Sequence, residues 1–217
     1  MINVKALLII ILWIAIVLIT ATFCRNKFPN QQELSRKIVH IGTGPVIPLA
    51  WWIGIPAGLA IAVSSIITLG LLINHQLRFI PAMEDVPRQT YGTIAYGLSI
   101  TILLILFWSQ NPAAVSIGVL TMAFGDGLAG LIGRQVKSPS WTILNQRKSI
   151  AGTLTMAITG SILLVLITTL SGQHLEPLQI IGITSLAVSL EQISPWGIDN
   201  LTVPIGVASV WALMAGT

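Results

Sequence analysis

Charge is scarce in this chain. Only 8% of its 217 residues are Asp, Glu, Lys or Arg, against about 25% in an ordinary soluble domain. That shortage excludes a water-soluble globular fold and puts the chain in lipid. Cysteine is scarcer still. Cys24 stands alone, which excludes an internal disulfide and any thiolate cluster at metal-ligand spacing. The pI near 9.6 does not point to nucleic acid, because there is no basic arm and no basic patch interleaved with aromatics. Internal repeats, low-complexity tracts and long linkers are also missing, so the expectation is one membrane domain over 1–217, with 1–30 as a peripheral first helix and linker.

What remains is hydrocarbon. Hydrophobic residues make up 54% of the chain and mean hydropathy is +0.87. Runs long enough to cross about 30 Å of hydrocarbon predict helices at roughly 4–23, 38–54, 56–74, 92–109, 112–133, 149–170, 177–194 and 201–216. The fold class expected is all-α, a polytopic integral membrane helix bundle of about seven to eight spans. Because Lys and Arg favour cytoplasmic loops, the basic residues test this count. Arg25, Lys27, Arg36 and Lys37 follow the first run, Arg78 and Arg88 the third, and Arg134, Lys137, Arg147 and Lys148 the fifth. Only Lys5 falls on the other side. Both termini are therefore expected to be non-cytoplasmic, and the first span is expected to be retained, since a signal peptide carries its stronger positive flank before the apolar run. Trp51, Trp52, Trp108, Trp141, Trp196 and Trp211 fall mostly near span ends and read as interfacial anchors.

The polar residues gather at the basic face. The second, fourth and sixth runs open with Arg36, Lys37 and His40, with Arg88, and with Arg147 and Lys148, while Asp199 opens the eighth. Helix N-termini carry partial positive charge and unpaired N–H groups. Cations stacked there repel one another unless a polyanion such as a nucleoside triphosphate relieves them; the plainer alternative is contact with lipid head groups. Ser149 is placed to cap the sixth helix, Lys148 to reach a phosphate, and Gly152 to permit close approach one turn in. The spacing is not a Walker A loop.

The acids carry more information. Asp126, in Gly125-Asp126-Gly127-Leu128-Ala129-Gly130, and Glu191, in Ser189-Leu190-Glu191-Gln192, lie inside apolar runs. A carboxylate at a helix centre there costs about 2.5–3.5 kcal/mol. Each needs a cation or a proton. Mg²⁺ held by Asp126 and Glu191, with Asp199 as a further ligand, fits hard-oxygen chemistry; the alternatives are an internal salt bridge to Lys148 or Arg88, or a protonated acid. Gly125, Ala129 and Gly133 are spaced four apart, so a neighbouring backbone can approach that helix face. His40 is a candidate base, though a single histidine at a membrane edge is more often a hydrogen-bonding residue. His75 and His174 are expected in loops on opposite sides.

Taken in order, Arg36-Lys37-Ile38-Val39-His40, Arg88-Gln89-Thr90-Tyr91-Gly92-Thr93, Gly125 to Arg134, Lys148-Ser149-Ile150-Ala151-Gly152-Thr153, and Glu191 with Asp199-Asn200-Leu201 resemble the phytol kinase branch of the CTP-dependent polyprenol kinase family, which includes dolichol kinases. The resemblance covers roughly 33–204, the expected kinase core. It implies transfer of the γ-phosphoryl group of CTP to a lipid alcohol, phytol in this branch, with a divalent cation, on a path from chlorophyll-derived phytol toward tocopherol. The residues themselves then suggest catalytic roles for Asp126, Lys148, Asp199 and Glu191, with Asp126, helped by Glu191 or Asp199, holding Mg²⁺. Nucleotide or substrate binding would fall to Arg36, Lys37, His40, Arg88, Ser149, Gly152 and Asn200. The short chain looks like a bacterial or cyanobacterial member, in the cell membrane or thylakoid with its active face cytoplasmic. Rival readings are a dolichol or diacylglycerol kinase, a phosphatidate cytidylyltransferase-like enzyme, and a proton-coupled transporter. The last predicts charges strung across the membrane and an inverted repeat.

Overall fold

The computed structural model describes residues 4–77 and 91–215; the expectations for Arg78 and Arg88 lie outside the described residues. Over the described residues the fold is all-α apart from one small hairpin. Helix α1 (Val4–Lys27) is apolar on nearly every side, as suits a helix facing lipid. Its few buried residues include Val17 and Ala21. It packs mainly on the next two helices. There Trp13 Nε1 donates to the Gly42 carbonyl at 2.7 Å, and Val17 fills the notch left by the missing Cβ of Gly42.

The run predicted as one helix at 38–54 is two, α2 (Gln32–Thr43) and α3 (Val46–Trp52). Gly44 and Pro45 keep right-handed helical φ and ψ, but Pro45 has no N–H to continue the ladder. The junction tightens instead, with Gly44 N donating to Ile41 O and Ile47 N to Gly44 O. The expected turn follows at Gly54, with φ +69°. Helix α4 (Ala57–Leu77) then runs back against α5 (Gly92–Phe107). His75, expected in a loop, lies in the last turn of α4 and faces Tyr91 at 5.5 Å.

The centre of the bundle is the mostly buried rod Pro112–Gln135. Asn111 caps it by accepting from Ala114 N at 3.2 Å, and Pro112 takes the first-turn position where no N–H is needed. The rod is α6 (Pro112–Leu120), a wide π-type turn (Thr121–Asp126) and α7 (Gly127–Gln135). Against it pack α8 (Ile150–Leu170) and α10 (Asp199–Ala215), and α9 (Pro177–Ile193) packs on those two. Ser149 caps α8 as expected, accepting from Gly152 N at 3.2 Å. The expected close approach of a backbone to α7 is made by α8: a Cβ on Gly152 would lie 3.1 Å from the Ala129 carbonyl. Trp108 and Trp211 are buried rather than interfacial, and Trp211 Nε1 ties α10 to α8 through Thr168 Oγ1 at 2.8 Å. Trp52 and Trp196 are exposed.

The loop expected before α8 holds an antiparallel hairpin, β1 (Ser140–Ile143) and β2 (Gln146–Ser149). Leu144 and Asn145 turn it with φ of 48° and 61°, the two positive values of a two-residue hairpin turn. Strands this short and polar leave no alternating apolar signal to read.

Among the described residues four helical stretches are long and apolar enough to cross a membrane, Leu7–Lys27, Ala57–Leu77, Pro112–Gln135 and Ile150–Leu170. Gly92–Phe107, Pro177–Ile193 and Asp199–Ala215 are shorter apolar helices. The chain is an integral membrane protein. Helix contact in lipid relies on close packing, and at Gly118 a Cβ would sit 2.4 Å from the Pro204 carbonyl, a backbone atom that cannot swing aside. Gly118→Ala should therefore destabilise the bundle by about 1–3 kcal/mol and lower the midpoint of thermal unfolding in detergent. Gly70→Ala, where no atom lies within 4 Å of the added carbon, should leave the midpoint unchanged or raise it.

Candidate active site

Helix α2 presents Lys37 and His40 to the wide turn of the central rod, and glycine makes the approach possible. A Cβ on Gly130 would lie 3.1 Å from Lys37 Cε, and one on Gly127 would strike Ile41 at 2.4 Å. Lys37 Nζ donates to Asp126 Oδ2 at 2.6 Å and to the Asp126 carbonyl at 3.2 Å. His40 Nε2 lies 3.3 Å from the same carboxylate oxygen and 3.3 Å from the Met122 carbonyl. Insertion of one residue into an α-helix turns backbone groups out of their ladder, and such turns recur at functional sites. Here two carbonyls of the wide turn meet side chains of α2.

The hairpin supplies the second lysine. In β2 neighbouring side chains point to opposite faces, so Arg147 is exposed while Lys148 turns inward. Lys148 Nζ donates to the Glu191 carbonyl at 2.8 Å and pairs with Glu191 Oε1. Gln192 Nε2 holds the other carboxylate oxygen at 3.1 Å and Thr153 Oγ1 at 2.9 Å. Asp199 and Asn200 enter from the start of α10. Asp199 Oδ1 accepts from Asn200 N at 3.0 Å, and Asn200 Nδ2 donates to the Gly92 carbonyl at 3.0 Å.

These elements bring three acids together. One carboxylate oxygen from each of Asp126, Glu191 and Asp199 lies within 4.8 Å of the others. Two carboxylates at that distance repel by about 3–4 kcal/mol at an effective dielectric of 20. Lys37 answers Asp126 and Lys148 answers Glu191, while Asp199 makes no ion pair among the described residues. The cluster is one positive charge short. Three convergent carboxylates form a hard-oxygen set of the kind that suits Mg²⁺, and the unanswered Asp199 gives a divalent cation a reason to be held there.

Other expected residues have different neighbours. Arg36 forks onto Glu33 with contacts of 2.7 and 3.1 Å, and Glu33 also accepts from Arg134 Nη2 at 3.0 Å, clamping α2 to α7. Ser149 Oγ is spent on the Gly152 amide and the Gly133 carbonyl, and Gly152 packs on α7. Asp126 pairs with Lys37, and the salt bridge to Lys148 that was the alternative to a metal site is made by Glu191. Sequence reasoning passed over Glu33, Gln192 and Tyr96. Tyr96 donates to the His40 carbonyl at 3.1 Å, and its ring meets the imidazole edge to face at 4.8 Å. Its signal was available, since a tyrosine inside an apolar helix needs a partner for its hydroxyl.

Beside the cluster lies a cavity of about 480 Å³ between α1, α2, α3, α4 and α5. Arg36, His40, Thr93 and Asn200 stand at one end of it, and Ile55 and Trp108 at the other.

Comparison with known proteins gives the family of the chain. Over 215 residues, 93% of the chain and 92% of the relative, the sequence is 38% identical to phytol kinase of Synechocystis sp.. The chain belongs to the phytol kinase family. Phytol kinases are phosphotransferases, so a nucleotide donor is implied. Plant relatives match over a shorter stretch. The chain is 32% identical over 142 residues to a chloroplastic farnesol kinase and 30% identical over 147 residues to chloroplastic phytol kinase 1, both of Arabidopsis thaliana. In each case 60% of the chain aligns, and the match spans 46% of the plant protein. No family model and no solved structure matches the chain.

Proposed function

We propose that this phytol kinase family member transfers the γ-phosphoryl group of CTP to the hydroxyl of phytol, giving phytyl phosphate and CDP. The observation that carries the reading is the cluster of Asp126, Glu191 and Asp199, within 4.8 Å of one another and interleaved with Lys37 and Lys148, in a chain 38% identical to a phytol kinase. Bound there by the three carboxylates, Mg²⁺ would neutralise the β- and γ-phosphates. Lys148 and Lys37 would take up charge on the transferred group, with Arg36 at the rim and Arg88 as a further candidate cation. The alcohol oxygen bonds to the γ-phosphorus as the bond to the β,γ-bridging oxygen breaks, and the hydroxyl proton passes to a carboxylate or to His40. Little covalent work falls to the protein. Positioning and charge stabilisation supply the catalysis, as in other phosphoryl transfers.

The membrane setting follows the same charge distribution. Seven to eight spans with the basic loops on the cytoplasmic face set the cluster where a water-soluble nucleotide meets an insoluble alcohol. The acids gather with Lys37 and Lys148 in a single cluster instead of being strung along a path, which favours a kinase over a transporter.

Membranes containing the protein, given CTP labelled in the γ-phosphate and a panel of phytol, farnesol, dolichol and diacylglycerol, should transfer label to phytol and release CDP. Release of pyrophosphate would make it a cytidylyltransferase, and labelled diacylglycerol with bare phytol would overturn the acceptor. EDTA should abolish the transfer and Mg²⁺ restore it.

A further inference from the structure

We propose that the cavity beside the acidic cluster holds the isoprenoid chain of the acceptor alcohol, and that its inner end, closed by Trp108 and Ile55, sets the longest chain accepted. The inference rests on the kinase reading and adds to it the site of the tail and the part of the protein that measures it.

The cavity abuts the cluster through His40 and Asn200, which line it. His40, at its outer end, lies 3.3 Å from Asp126 Oδ2, so a hydroxyl at that end is beside the carboxylates. Asn200 supplies an independent sign of a ligand. The Gly92 carbonyl can only accept, which fixes the amide nitrogen of Asn200 toward it. Among the described residues Asn200 Oδ1 is then left buried with no partner, in a residue 3% exposed that lines the cavity. A buried acceptor left unmade costs about 1–3 kcal/mol. An alcohol donates the proton that this oxygen lacks.

Beyond that end the walls suit hydrocarbon. Arg36, His40, Thr43, Ile47 and Ala50 descend along α2 and α3 as one stripe, the spacing of a single helix face. The hydroxyls within reach are already committed. Ser64 donates to the Ile61 carbonyl, Thr68 pairs with Thr101, and Thr43 bonds to the Val39 carbonyl and to Tyr96. A lining whose polar atoms are satisfied favours an apolar occupant over water.

The length is finite. From Gly92 to Trp108 the cavity follows α5 for about 24 Å at 1.5 Å per residue. At the far end Trp108, 5% exposed, donates to the Ile55 carbonyl at 2.9 Å and bolts the end of α5 to the turn before α4. A volume of about 480 Å³ is that of a pocket for one small ligand. A polyprenol many isoprene units longer than phytol would run into the Trp108–Ile55 wall.

The test is photolabelling of the wild-type protein in membranes by a phytol analogue carrying a diazirine at the tail end. Label should fall on Ala50, Ile55, Leu104 or Trp108 and disappear when unlabelled phytol is added. Label confined to the outer faces of α8 and α9, or unaffected by phytol, overturns the proposal and points to a bilayer lipid. A second measurement compares Ala50→Phe, which fills the inner end, with wild type. The ratio of phytol to geraniol kcat/KM should fall at least about tenfold, and an unchanged ratio overturns the measuring role. Should Ala50→Phe fail to insert, the wild-type label decides alone. Failure of the kinase reading looks different, since no alcohol would then be phosphorylated while phytol still blocked labelling at the inner end.

Discussion

Asp126→Asn should lower phytol phosphorylation in membranes at least about a hundredfold to a thousandfold while the chain still inserts. Asparagine keeps the shape and one carbonyl oxygen but removes the charge that Lys37 meets at 2.6 Å and His40 at 3.3 Å. The cluster now balances three carboxylates against two lysines. Losing one carboxylate removes its single excess negative charge, and with it the attraction for a divalent cation. Asp199→Asn removes the same charge at a residue with no ion pair among the described residues, so it strands no lysine. Both substitutions should therefore abolish activity, whereas only Asp126→Asn should also lower the thermal midpoint, because it leaves Lys37, 5% exposed, as a buried cation without its anion. Phosphorylation rate, Mg²⁺ dependence and unfolding midpoint in the two variants check this. Full activity in Asp126→Asn would remove that residue from the site.

The acids and the lysine of the sixth predicted helix were legible because lipid makes charge expensive. Asp126 and Glu191 stand out in apolar runs for that reason alone, and Lys148 stands out beside a capping serine. The partner of Asp126 was not legible. Lys37 and Asp126 are 89 positions apart, and nothing local says that α2 rather than α8 supplies the cation facing the wide turn. The break at Pro45 was visible as a residue but not as a break, since the flanking chain keeps helical dihedrals and the apolar run continues through it. The wide turn at Thr121–Asp126 leaves the composition of its helix unchanged and so leaves no trace in hydropathy. The hairpin escaped for another reason. Its turn residues are Leu144 and Asn145 rather than a glycine pair, although it is the hairpin that aims Lys148 inward.

Lys148 and Glu191 pose the second large expectation, because a buried pair of this kind is either a strut or part of the machinery. Lys148→Met leaves Glu191, 7% exposed, with only Gln192 to answer its charge, and should destabilise the protein by about 3–5 kcal/mol. Glu191→Gln strands the lysine in turn. Combining the two removes both charges, and neutral replacements for a buried pair are often close to wild type in stability. The double variant should therefore recover the unfolding midpoint that each single variant loses. Activity should not follow. Lys148 would stabilise charge on the transferred phosphoryl group, a contribution worth at least about a hundredfold in kcat, and methionine cannot supply it whatever the state of Glu191. A cycle of four proteins, each measured for midpoint, CTP KM and kcat, separates the two roles. If kcat returned together with the midpoint, the pair would be only the strut holding β2 to α9, Glu191 would drop out of the metal set, and phosphate stabilisation would have to come from Lys37 and Arg36.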